Sequence, residues 1–185
     1  MRFTLTYQGE LPPNGSAQQK WEIRRHLEPQ LRLLWTQPPV SDIAKYKDPN
    51  YKPDDLYVGK SCFGYEFIPL ITTKLDLRAE LDVLLLAANL PGKLIRQGGD
   101  IDNRLKTLFD ALSMPANKQQ MPDNPDVASD GRVFCLLEDD KLVTAVSVSN
   151  DRLLSVPDGS NEVLVVLRVR PLAFRATFAN LSLAV

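Results

Sequence analysis

The stretch Arg78-Ala79-Glu80-Leu81-Asp82-Val83-Leu84-Leu85-Leu86-Ala87-Ala88 opens as an alternation of polar and apolar side chains and closes as an apolar run. Alternation is the period of a strand with one covered face, and the run from Val83 to Ala87 is apolar enough to place this strand centrally in a sheet. A helix is expected next, from about Asn103 to Met114. At about 100° per residue, Leu105, Leu108, Phe109 and Leu112 share one of its faces and Asn103, Lys106 and Asp110 the opposite one. Working outward, Met1 to Tyr7 alternates as a half-buried strand, Leu11-Pro12-Pro13-Asn14-Gly15 is turn chemistry, and Ser16 caps a helix through Trp21, Ile23, Leu27 and Leu31, with Pro29 expected to kink or restart it. Further strands are expected over Tyr65 to Ile71, near Leu142 to Val148 and over Glu162 to Val169. This order predicts an α/β chain of the two-layer α+β kind, a mixed β-sheet with helices packed on it. It reads as a single domain, 1–185, with long irregular insertions at about 36–64 and 115–132, and no internal repeat.

The size and composition agree with one globular core. The chain has 185 residues, 44% of them hydrophobic, with 22 Lys+Arg against 23 Asp+Glu and a formal net charge of -1. Such a balance excludes a disordered acidic tail and a generally basic coat for nucleic acid, so any polyanion must be held locally. The two cysteines, Cys62 and Cys135, offer neither a disulfide framework nor a zinc-binding cluster, and a reducing cytoplasm is expected. The N-terminus lacks the apolar core of a signal peptide. Val83 to Leu90 falls far short of the roughly 20 apolar residues of a membrane helix, so no membrane association is expected.

The chemistry-bearing stretch is Gly98-Gly99-Asp100-Ile101-Asp102-Asn103-Arg104-Leu105-Lys106-Thr107-Leu108-Phe109-Asp110-Ala111-Leu112. Asp100 and Asp102 fall where a helix begins, a place favourable to negative charge because the first N–H groups are unpaired and the macrodipole is positive there. Lys106, four residues on, reaches back over Asp102. A second acidic knot, Glu138-Asp139-Asp140, heads a strand. If its carboxylates face the helix start, three or four acidic oxygens converge beside one lysine, the way proteins hold Mg²⁺ or Mn²⁺. Hydrated ions so held activate and orient a water for phosphodiester cleavage, and Lys106 adds fixed positive charge for the transition state. Each motif alone also fits a structural role: Asp102 as an N-cap, Asp100 as a loop acid, Lys106 as a solvated side chain, and Glu138-Asp139-Asp140 as a turn.

Asp100-x-Asp102-Asn103-x-x-Lys106-x-x-x-Asp110-Ala111-Leu112, followed by Asp139-Asp140 at a strand head and preceded by the Pro12-Pro13-Asn14 turn, resembles the signature of the RusA-type Holliday junction resolvases. The resemblance covers the first strand and turn and then residues 80 to 170. It implies a small homodimeric α/β endodeoxyribonuclease, often prophage-encoded, that uses Mg²⁺ or Mn²⁺ to nick four-way DNA junctions in recombination and repair. By the same resemblance Asp100, Asp102 and Asp140 are catalytic metal-binding carboxylates, with Asp139 beside them, and Lys106 is essential. The chain departs from the family in its length, through 36–64 and the Leu112 to Glu138 loop, and in its near-neutral charge.

Candidate supports for a DNA backbone are Lys20, Arg24, Arg25 and Arg32 on the first helix, Lys93 and Arg96 before the acidic motif, and Lys45-Tyr46-Lys47 with Tyr51-Lys52 in the long loop. Pairing of the helix charges with Glu22 and Glu28 is the structural alternative. His26 lies among charges far from any nucleophile. No Gly-x-Ser-x-Gly elbow and no Walker-type loop is present, which removes the usual hydrolase and ATPase readings. The expectation is a metal-dependent junction-cleaving nuclease. Its rivals are a catalytically inactive nucleic-acid- or protein-binding module on the same scaffold and a phosphohydrolase acting on nucleotides.

Overall fold

A computed structural model describes residues 1–51, 56–88, 100–155, 157 and 160–183, and leaves the side chain of Asp100 undescribed. Lys52, Lys93, Arg96, Gly98 and Gly99 lie outside the described residues.

Among the described residues, seven strands and two α-helices carry the fold. In chain order they are β1 (Phe3–Glu10), α1 (Ala17–Leu34), β2 (Lys60–Cys62), β3 (Tyr65–Ile71), β4 (Leu77–Ala87), α2 (Asp100–Leu112), β5 (Arg132–Leu137), β6 (Val143–Arg152) and β7 (Glu162–Ala173). The expected α+β class and mixed pairing are both present, the pairing divided between two sheets. One has the order β1-β7-β4-β6 and the other β2-β3-β5. In the first, β7 pairs antiparallel with β1 and β4, while β4 and β6 run parallel. In the second, β2 and β3 are antiparallel, and β3 and β5 parallel.

The two sheets are joined by a shared corner. β3 passes to β4 through a 3₁₀ turn, Thr73–Leu75, and β5 passes to β6 through another, Asp140–Leu142. Because β3 runs beside β5 and β4 beside β6, two parallel ribbons bend together at one place. Glu138 pins that place: its N–H donates to Ile71 O at 2.9 Å, and its carboxylate accepts from Thr73 N at 2.9 Å, from the Thr72 and Thr73 hydroxyls and from Lys60.

β4 is central, as its composition implies, yet only its alternate residues are buried. Leu84 and Leu86 remain half-exposed on the open face of the sheet. Leu77, Ala79, Leu81, Val83 and Leu85 point into the main core with Leu5 and Tyr7 of β1, Val165 and Leu167 of β7, and Ile23, Leu27 and Leu31 of α1. Trp21 and Phe67 build a second cluster with Met121, Val133 and Cys135 between α1 and the smaller sheet.

α1 begins with the expected Ser16 cap, completed by a capping box: Ser16 Oγ accepts from Gln19 N at 3.2 Å and Gln19 Oε1 from Ser16 N at 2.9 Å. Pro29 neither ends nor restarts the helix. It is exposed, so the carbonyl left without its usual N–H partner is on the solvent side, while Leu27 and Leu31 are buried on either side of it.

α2 starts three residues earlier and ends two residues earlier than the periodicity predicts. Its end is set by β5, because Met114 N donates to Leu137 O at 3.0 Å instead of continuing the helix. β5 itself was not expected. The run Val133-Phe134-Cys135-Leu136-Leu137 is too short to distinguish strand from buried helix by period. The irregular stretch before it is ordered from outside: Trp21 Nε1 donates to Asp126 O at 3.2 Å, and Arg32 bonds both carboxylate oxygens of Asp130 at 2.7 and 3.0 Å.

Candidate active site at the corner of the two sheets

The acidic knot occupies the corner where β5 turns into β6. Asp139 caps the 3₁₀ turn, its carboxylate accepting from Lys141 N at 2.9 Å, which holds the chain so that Asp140 follows at the turn's start. Asp140 lies against Asp139 and within electrostatic reach of Asp110 on α2. Burial, followed by the Asp139 and Asp110 carboxylates, pushes the Asp140 carboxyl above its ordinary value. Like charges held together in this way form a place where a cation is welcome.

Asp110 joins the helix to the corner. It pairs with Lys20 of α1 at 2.7 Å. Arg24, only 2% exposed, sends one Nη2 to the carbonyls of Asp110 and Ser113, at 2.7 and 2.8 Å, and so caps the C-terminal end of α2. Desolvation lowers this guanidinium to about 10. A cleft of about 360 Å³ opens between helix and corner, lined by Lys60, Asp110, Ser113, Glu138, Asp139 and Asp140. The Ser113 hydroxyl is buried without a hydrogen-bond partner.

Asp102, Lys106 and Asp110 follow one another at intervals of four residues, on one side of α2. Asp102 and Lys106 are exposed. At 1.5 Å per residue Lys106 stands about 6 Å along the axis from Asp110, and Asp102 about 12 Å. The corner therefore lies nearest Asp110, a residue that sequence reasoning placed on the polar face without giving it a role. Asp100 is the first residue of α2. Among the described residues no group of three or more His, Cys, Asp or Glu side chains is assembled as a metal site. Of the expected carboxylates, Asp139 and Asp140 stand together, and Asp102 is separate from them, two helical turns beyond Asp110.

Glu138 is not available to a cation. Burial acts to raise its carboxyl, but hydrogen bonds from Lys60, Thr72 and Thr73 outweigh that and hold it at about 2. It is the pin of the fold.

The first turn of the chain buttresses the same helix. Gly15 N donates to Thr107 Oγ1 at 2.8 Å, and Arg104 donates to Leu11 O at 2.5 Å. Asn14 adopts a left-handed φ of 53°, which asparagine tolerates in turns. A Cβ on Gly15 would lie 2.7 Å from Thr107 Cγ2, so the turn approaches α2 as closely as glycine permits.

The basic residues of α1 are all engaged within the chain. Lys20 holds Asp110, Arg25 meets Glu28 and Asp126, Arg32 meets Glu28 and Asp130, and Arg24 is buried. The Lys/Tyr interleaving likewise turns inward: Tyr46 is buried, Lys45 lies over the rings of Tyr46 and Tyr51, and Lys47 over Trp35 and Phe134. His26 packs edge-on against Tyr7, with ring centroids 5.2 Å apart.

No protein-family model, no curated protein and no solved structure matches the chain. Among the described residues no helix is long and apolar enough to cross a membrane.

Proposed function

We propose that the chain is a metal-dependent endodeoxyribonuclease that cleaves branched DNA, with four-way junctions as its substrate. One observation carries the reading: the Asp139-Asp140 corner faces the polar side of α2, so that Asp140 feels Asp110 on the helix that also bears Lys106 and Asp102. The like-charge crowding at Asp140 supports a divalent cation, Mg²⁺ or Mn²⁺, held by Asp139 and Asp140 with waters toward Asp110. Asp100 and Asp102, at the positive end of α2 and about 12 Å or more along its axis from Asp110, are beyond the reach of that ion and would hold a second, hydrated one. When bound, the ion supplies an activated water and neutralises charge on the scissile phosphate. Lys106, between the two acidic groups on the helix, places a fixed ammonium beside that phosphate. The reading implies a homodimer, since two matched nicks need two sites related by a two-fold axis. A reducing compartment such as the cytoplasm suits its free cysteines.

The test is cleavage of a synthetic four-way junction with and without Mg²⁺ or Mn²⁺, with linear duplex and flap substrates as controls. Metal-dependent paired nicks, lost in Asp102→Asn and Asp140→Asn, are expected; a fully active Asp102→Asn protein would remove the assignment. A second reading is favoured by the engagement of every α1 cation within the chain, which leaves that helix without free charges for phosphates. It is a catalytically inactive module on the same scaffold that binds protein rather than nucleic acid, and it would neither cut junctions nor retain them in a gel-shift assay.

A further inference from the structure

Beyond β7 the chain folds back into a lobe that shows apolar rings to solvent. Phe174 is 64% exposed and Phe178 is 102% exposed, with exposed Leu181 three residues on, whereas Ala179 and Leu183 of the same segment are buried in the main core. The rings are not on a frayed end. The buried side chain of Asn180 donates to Leu75 O and to Arg175 O, both at 2.8 Å, and accepts from Thr177 N at 2.9 Å, while Phe174 N donates to Asp76 O at 2.7 Å. Single exposed apolar side chains are ordinary, but two rings and a leucine fixed on one short lobe form a patch of the kind that marks an interaction site.

The lobe shares one end of the four-stranded sheet with the Asp139-Asp140 corner. Pro171 of β7 and Val143 of β6 both stand opposite Ala79 of β4, one on each side, so they are separated by two strand spacings, roughly 10 Å. Since β7 runs antiparallel to β4 and β6 parallel to it, Phe174, three residues after Pro171, and Asp140, three residues before Val143, leave the sheet at the same end. The surroundings are basic. Arg78 lies over the Phe174 ring, its guanidinium 5.1 Å from the centroid, Arg175 is exposed between the two phenylalanines in sequence, and Lys141, 87% exposed, adjoins Asp139 at 3.8 Å. Outside the corner itself they outnumber Asp76, the acid at the foot of β4, and from Leu172 to Leu183 the chain has an arginine and no carboxylate. We propose that Phe174 and Phe178 stack against unpaired bases of a branched DNA, with Arg175 and Lys141 on the flanking phosphates. Every base has a π face, and rings interleaved with cations are the chemistry of a single-strand site. An unbroken duplex hides those faces, so the lobe favours a branch point over linear DNA. The inference rests on the nuclease reading for its choice of nucleic acid, and it gives a chain of near-neutral charge a local place to hold one.

Fluorescence anisotropy in EDTA tests it, with fluorescein-labelled oligothymidine, four-way junction and linear duplex as probes and the full chain in unmodified, Phe178→Ala, Phe178→Trp and Leu33→Ala forms. Oligothymidine and the junction should bind more tightly than the duplex. Phe178→Ala should raise both of those Kd values about tenfold, as loss of one stacked base predicts, and leave the duplex Kd unchanged. Phe178→Trp should bind as tightly as the unmodified chain, and its added indole fluorescence should be quenched by oligothymidine, a signal that a structural role for Phe178 would not give. Leu33→Ala, which trims another exposed apolar side chain, on α1, should change nothing. An unmodified chain that does not bind oligothymidine, a Phe178→Ala protein with unaltered Kd values, an equal loss for duplex and oligothymidine, or an unquenched Phe178→Trp protein would overturn the proposal. Binding in EDTA needs no metal, so the two readings fail separately. Metal-dependent nicking with an unaltered Phe178→Ala protein would sink the lobe and spare the nuclease, and stacking on oligothymidine without nicking would do the reverse.

Discussion

The carboxylate of Glu138 accepts a 2.9 Å hydrogen bond from the backbone N–H of Thr73, fastening the β5–β6 crossing to the β3–β4 crossing. Its carboxyl is held at about 2, below the ordinary 4.5, so the folded state resists protonation that the unfolded chain accepts. This stabilisation is complete above about pH 4.5 and is lost as pH falls toward 2. Glu138→Gln should therefore cost on the order of 2 kcal/mol at pH 7 and flatten the acid limb between those values. Urea denaturation of both proteins at pH 7 and pH 3 checks this, and an equal loss at both would contradict it.

Arg24 is the buried cation on which the end of α2 depends. Arg24→Met keeps much of the aliphatic volume but leaves the carbonyls of Asp110 and Ser113 without this donor, and should destabilise by about 1–3 kcal/mol. Arg24→Lys should recover only part, because one ammonium can supply the two donors that Nη2 gives to these carbonyls but not the guanidinium's packing over Trp21. Thermal unfolding ranks the three proteins, and a neutral Arg24→Met substitution would show that the cap contributes little.

Gly15 and Thr107 make a close contact that admits little change. Thr107→Val removes the acceptor of Gly15 N, which leaves a buried donor unpaired, and should cost about 1–2 kcal/mol. Gly15→Ala adds a methyl 2.7 Å from Thr107 Cγ2 and should destabilise through displacement of the turn. In the double variant Gly15→Ala/Thr107→Ser, loss of that methyl should recover part of the Gly15→Ala penalty, measured by a double-mutant cycle.

Asp140 has its carboxyl raised by burial and then by Asp139 and Asp110. The ionised form is thus unfavourable to folding, a penalty that sets in as pH rises through its ordinary value of 3.8. Asp140→Asn should leave the Tm at pH 7 equal to or above that of the unmodified chain while abolishing metal-dependent cleavage. Mg²⁺ or Mn²⁺ should raise the Tm of the unmodified chain and not that of Asp140→Asn, by linkage. A marked fall in Tm on substitution would give Asp140 a structural role instead.

Local patterns were legible wherever one stretch of chain carried the whole signal. Ser16 after the Pro12-Pro13-Asn14-Gly15 turn announces the start of α1, and the amphipathic spacing of Leu105, Leu108, Phe109 and Leu112 announces α2. Pro29 misleads because its cost depends on which side of the helix faces water. β5 was hidden because five apolar residues have no readable period, and its place is decided by β3 alongside it. Of the acids weighed in sequence against the basic residues of α1, Glu28 does pair with Arg25 and Arg32, contacts within one helix. Asp110, Asp126 and Asp130, which engage three of them, are far along the chain.

The amino-acid sequence by itself determined the elements: an alternating central strand, two capped or amphipathic helices, and acids grouped at a helix start and a strand head. These depend on contacts within a few residues and on the simple periods of strand and helix. Only the tertiary structure decided that Glu138 is a structural pin while its neighbour Asp140 faces Asp110, and that Arg24 closes a helix. Such roles depend on burial and on partners brought together across the fold, which no local period encodes.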